Sequence, residues 1–122
     1  MSKIFKIDEA RKVETPGERT MHWLVDRELG ATNMNVVMYD FEPGYESRRV
    51  HYHERRESAY IALKGSGTVH LNGEEHPMEP ETVVYLSPGD VHGVVAAGED
   101  GFSMIEVWSP LERDTIYIED GN

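Results

Sequence analysis

The chain contains no cysteine among its 122 residues. That excludes disulfides and thiolate metal sites, and it fits a reducing compartment. Long hydrophobic runs are also missing. No stretch approaches the roughly 20 apolar residues that span a bilayer. The opening residues, MSKIFKIDEARK, lack the apolar core of a signal peptide. A cytoplasmic protein with no membrane partner is expected. Basic residues are few: 12 Lys and Arg against 23 Asp and Glu, a formal net charge of -11. Such a chain is repelled by phosphate backbones, which argues against nucleic acid as a partner. Helix signals are nearly absent, and only Ile7 to Val13 could form a turn or so. No nucleophile stands out either. There is no GxSxG, and Ser47, Ser58, Ser66 and Ser87 have no triad context. Any catalysis would have to run through a metal.

What is present is a succession of short β-type runs. The length suits one domain spanning residues 1–122. Candidate strands are 21–25, 33–41, 51–53, 58–64, 68–71, 82–86, 91–96, 102–108 and 115–118. Turn signals separate them: Glu42-Pro43-Gly44, Gly65, Ser87-Pro88-Gly89, and Asn72-Gly73, the dipeptide favoured in type I′ hairpins. The expected class is all-β, a sandwich or barrel.

One stretch carries chemistry. In HYHERRES, His51 and His53 are two apart. On a strand they share a face, with Cα atoms about 6.5 to 7 Å apart, close enough to converge on one ion. Four arginines bracket them: Arg48, Arg49, Arg55 and Arg56. They form either a solvated loop, the blander alternative and the one favoured, or a positive rim for an anionic ligand. Farther along, Ser87-Pro88-Gly89-Asp90-Val91-His92 brings a third imidazole to the start of a strand. The remaining histidines, His22, His70 and His76, have no ligand spacing.

These features resemble the cupin superfamily, in its small single-domain form. Gly44, His51, His53, Glu57 and Gly65 follow its first motif; Gly89 and His92 follow its second. The resemblance covers about residues 33–108, and implies a double-stranded β-helix, or jelly-roll barrel, with residues 1–32 packing on it. The second motif's opening glycine is Glu81 here, and its later Asn is Ala96.

The resemblance implies a divalent metal (zinc, iron, manganese or nickel) held by His51, His53 and His92. The fourth ligand is open. Counting forward from His53 gives Glu57; counting back from Gly65 gives Ser58. Either Glu57 reaches the metal through a bulge, or three histidines stand alone, or the pocket binds an organic ligand without metal. Tyr60 would face inward in family register. With Arg49 and Tyr39 it is a candidate substrate contact. The expected function is a metal-dependent oxygenase, lyase or isomerase acting on a small, anionic substrate. The alternative is a non-catalytic domain binding a sugar or small organic acid. A homodimer is implied by the resemblance alone.

Overall fold

The computed structural model describes residues 2–118. A 3-10 turn at Ile7–Glu9 leads into nine strands among those residues. They are β1 (Arg11–Thr15), β2 (Arg19–Val25), β3 (Asn35–Phe41), β4 (Val50–His53), β5 (Glu57–Leu71), β6 (Glu74–Met78), β7 (Val83–Leu86), β8 (His92–Ser109) and β9 (Thr115–Ile118). No helix among the described residues is long and apolar enough to cross a membrane.

The pairing closes a double-stranded β-helix. β1, β2 and β3 are antiparallel neighbours, and β3 pairs with the second half of β8. The first residue of β8 meets β4, and β9 lies along the other side of β4. The first half of β5 pairs with β7 and with late β8; its second half pairs with β6 and with early β8. β5 and β8 therefore run through both halves of the molecule. Gly65 is where β5 turns the corner. It has φ +77°, and a Cβ there would collide with the Gly101 carbonyl oxygen. Only glycine fits that approach.

Side-chain alternation fixes which face is inside. Ser58, Tyr60 and Ala62 are buried on β5, while Glu57, Ile61 and Leu63 are exposed. Tyr60 and Ala62 join Phe41, Leu86, Phe102 and Met104 in the core. Full burial of a side chain such as Leu86 stabilises the fold by about 1.5–3 kcal/mol.

Several sequence expectations shift. The candidate helical turn at Ile7 to Val13 shrinks to the 3-10 turn, because Arg11 onward pairs with β2. The runs on either side of Gly65 are one bent strand, as are 91–96 and 102–108. Asn72 and Gly73 both have positive φ, 49° and 90°, as a type I′ turn requires. Glu81, where the family motif has glycine, keeps a glycine-like φ of 75°.

Candidate metal centre

His51 and His53 leave β4 on one face because strand side chains alternate. His92 is the first residue of β8 and the cross-strand partner of His51. The turn before it is tightly tied. Asp90 accepts hydrogen bonds from the Ser87 amide and hydroxyl, both 2.9 Å, and from the Asn72 side chain at 3.0 Å. The Gly89 amide donates to the His53 carbonyl at 2.8 Å. One histidine-bearing segment is thus stitched to the other. One ring nitrogen from each of the three histidines lies within 4.8 Å of the other two.

Polar contacts orient two of the rings. His92 Nδ1 lies 2.9 Å from the Asp90 carbonyl oxygen, which can only accept. His53 Nδ1 lies 3.3 Å from Asp114 Oδ1. The His92 Nδ1 is therefore the protonated one, which leaves its Nε2 with a free lone pair, while His53 Nδ1 also lies 3.5 Å from the Thr115 hydroxyl. The Nε2 atoms of His53 and His92 are buried and have no hydrogen-bond partner. Buried polar nitrogens without partners are costly unless something binds them.

Electrostatics keeps the cluster neutral. Burial lowers the His51 pKa to about 3, helped by His92 and His53. Burial lowers His53 to about 4, with Arg56 and His92 adding to the effect and Asp114 opposing it. Burial also lowers His92, against the Asp90 carbonyl. Three unprotonated imidazoles with convergent ring nitrogens are the donor set a divalent metal requires. The residues present fit such an ion.

The other sequence candidates fall differently. Glu57 does not join the cluster. It lies on the outward face of β5, exposed, and accepts a hydrogen bond from the Tyr85 hydroxyl at 2.9 Å. No bulge before Ser58 shifts strand parity, so the residue facing inward is Ser58. Tyr39 and Tyr60 line a cavity of about 440 Å³ that also reaches His51. Arg49 lines it too, but is exposed, 3.5 Å from a Glu18 oxygen. Among the four clustered arginines, Arg48, Arg49 and Arg55 are solvated as the blander alternative expects. Arg56 is not: it sits 4.6 Å over the Trp108 ring and lines the cavity. His22, His70 and His76 lie outside the cluster.

Three contributors were not singled out from sequence. Asp114 holds His53 and accepts from the Arg55 and Arg56 amides at 2.8 and 3.2 Å. Arg19 reaches the cavity from β2, with its Nε buried and unpartnered. Glu106, on the inward face of β8, is only 5% exposed. Burial raises its carboxyl pKa to about 7, against the pull of Arg56, Tyr39, Ser58 and Arg19.

Comparison with known proteins places this geometry. A Cupin domain family model matches residues 37–108. A glucose-6-phosphate isomerase of Pyrococcus horikoshii is 40% identical over 82 residues, which is 60% of this chain and 43% of that protein. The chain spans less than half the length of the curated relatives it matches. The polyketide cyclase RemF of Streptomyces resistomycificus superposes with a TM-score of 0.79 at 24% identity, covering 98% of this chain and 89% of that one. KdgF from Halomonas sp. superposes with a TM-score of 0.77 at 21% identity, covering 93% and 97%. At such identities the structural likeness speaks for the fold alone.

Proposed function

The chain belongs to the cupin family, and from that premise we propose that it is a metal-dependent enzyme of isomerase or lyase type acting on a small anionic substrate. The observation that carries this is the pair of buried, unpartnered Nε2 atoms of His53 and His92, with His51 beside them at the cavity wall. His51, His53 and His92 would hold the ion. An all-imidazole set suits zinc and also admits iron, manganese or nickel. When bound, such an ion polarises a carbonyl or lowers the pKa of a water.

The chain's own residues define the rest. The cavity, about 440 Å³, matches a small molecule. Arg19 and Arg56 supply positive charge inside it despite the net charge of -11. They would orient an anionic group. Tyr39 and Tyr60 add phenols, both held protonated by burial. That the Pyrococcus horikoshii relative is a glucose-6-phosphate isomerase supports an isomerase reading. A second reading, a non-catalytic domain for a small organic acid, is favoured by the same arginines.

Metal analysis separates them. Purified protein is incubated with Zn²⁺, Fe²⁺, Mn²⁺ or Ni²⁺, desalted and analysed by mass spectrometry. Near-stoichiometric metal is expected. Less than about a tenth of an equivalent for every ion sinks the enzyme reading.

We further propose a homodimer. Exposed apolar side chains run across the outer face: Ile61 and Leu63 on β5, Val83 and Tyr85 on β7. Ile61 pairs with Val83, and among the described residues β7 has no strand on its far side. A second copy of this chain would cover both.

A further inference from the structure

We propose that Glu106 is the catalytic base of this cavity, taking a proton from a substrate carbon beside a carbonyl and later returning it, with Tyr39 as its positioning partner. This rests on the metal-dependent reading above and deepens it by naming the group that moves the proton.

The placement comes first. Glu106 lies between Met104 and Trp108 on the inward face of β8, directly across from Tyr60 on β5 and Val37 on β3. It lines the same cavity as His51. The Tyr39 hydroxyl donates to its Oε1 at 3.1 Å, which fixes the carboxyl plane. A buried carboxylate with a purely structural role is normally ion-paired. Among the described residues no cation lies within ion-pairing distance of Glu106, and Arg56 is drawn to Asp114 instead, at 3.8 Å. Glu106 is a carboxyl group held in place, facing an open cavity, with no ion pair to explain it.

Its surroundings let it work in both directions. Tyr39 faces it from β3, Arg19 from β2, Arg56 from the loop after β4, and Ser58 and Tyr60 from β5. Burial disfavours the carboxylate, and the arginines and Tyr39 restore part of it. Near neutral pH both protonation states are then populated, as an acid–base catalyst needs. In the step, a Glu106 oxygen forms an O–H bond with the proton of the C–H next to the carbonyl. The C–H electron pair becomes a C=C bond, and the carbonyl π pair moves to its oxygen. Return of the proton to the adjacent oxygen-bearing carbon, with the hydroxyl proton passing to the first oxygen, gives the isomer. No electrons enter or leave.

The test uses the full chain loaded with Zn²⁺, its metal content measured, in D₂O. Glucose 6-phosphate, dihydroxyacetone phosphate and pyruvate serve as probes, because each has a C–H beside a carbonyl. Proton NMR follows loss of that hydrogen. Wild type should exchange at least one probe. Glu106→Gln should slow exchange at least about a hundredfold while keeping metal and probe binding. Tyr39→Phe should shift the pH midpoint of exchange more than it lowers the maximal rate. Exchange in Glu106→Gln within about threefold of wild type overturns the proposal, as does a metal-loaded wild type that exchanges no probe. If Glu106→Gln does not fold, Glu106→Asp takes its place, and an unchanged rate and pH profile there overturns it equally. Absence of bound metal instead overturns the reading of the site on which the proposal rests.

Discussion

His51 and His92 are direct cross-strand partners, with ring centroids 4.4 Å apart. Forty-one positions separate them in sequence. A strand register therefore brings the two imidazoles together, and flexible loops play little part. The Gly89 amide, bonded to the His53 carbonyl, locks that register next to the third ring. Ligands on paired strands are more rigidly placed than ligands on loops.

The ligand set should depend on the histidines and not on Glu57. His92→Ala leaves two imidazoles and should drop retained metal below about a tenth of an equivalent. Glu57→Ala should leave metal content unchanged, because Glu57 points to solvent and Tyr85. Mass-spectrometric metal analysis of both variants is the check, and metal loss in Glu57→Ala would contradict the site geometry.

Asp114 should tune the centre without touching the ion. It fixes His53 through Nδ1 and caps the amides of Arg55 and Arg56. Asp114→Asn should weaken metal binding about 10- to 100-fold, the usual effect of losing an orienting carboxylate. A competition titration against a chelator measures it. Wild-type affinity in this variant would show that the ring needs no such hold.

Acid should destabilise the metal-free protein through the same histidines. His51 and His53 have folded pKa values of about 3 and about 4, below the ordinary 6.5. The unfolded chain therefore binds protons first. The stability from keeping them neutral is fully present above pH about 6.5 and is lost as pH falls toward those folded values. Urea midpoints should drop steadily from pH 7 to pH 4.5. His51→Ala should flatten the slope. Bound metal should stay until pH nears those folded values, because the folded imidazoles remain neutral, and so able to bind, down to that point.

The barrel and the three histidines were legible in sequence for one reason. HxH and the Ser87–His92 turn are local patterns, and alternation with turn residues is also local. Glu57 and Ser58 were not separable, because adjacent residues face opposite sides and only the register with β7 and β8 decides. Glu106 was hidden by its strand. Its neighbours Ile105 and Val107 are as apolar as Met104 and Trp108, so either face could have been inside. Asp114 bonds to a residue some sixty positions away, and no spacing rule reaches that far.

Glu81 offers a stability test. It holds φ 75°, and left-handed backbone costs a non-glycine residue roughly 1–2 kcal/mol. Glycine there would remove that cost but add about 0.5–1 kcal/mol of unfolded-chain entropy. Glu81→Gly should therefore stabilise the protein, by a few tenths to about 1 kcal/mol. Glu81→Ala, which keeps a Cβ, should not. Thermal melts of the two variants side by side make the comparison, and equal shifts would locate the effect in the lost charge.

The outer sheet face should set the oligomeric state. Val83 is 65% exposed and Tyr85 59%, on a strand that among the described residues pairs only with β5. An unpaired apolar edge invites another strand or sheet. Light scattering should give a mass near twice 13.9 kDa. Val83→Asp places a charge in the middle of that face, and should shift the protein to monomer without lowering metal content. The metal centre opens on the inward side of the barrel, so the two properties should separate. A dimer that persists in Val83→Asp would mean that another surface joins the two copies.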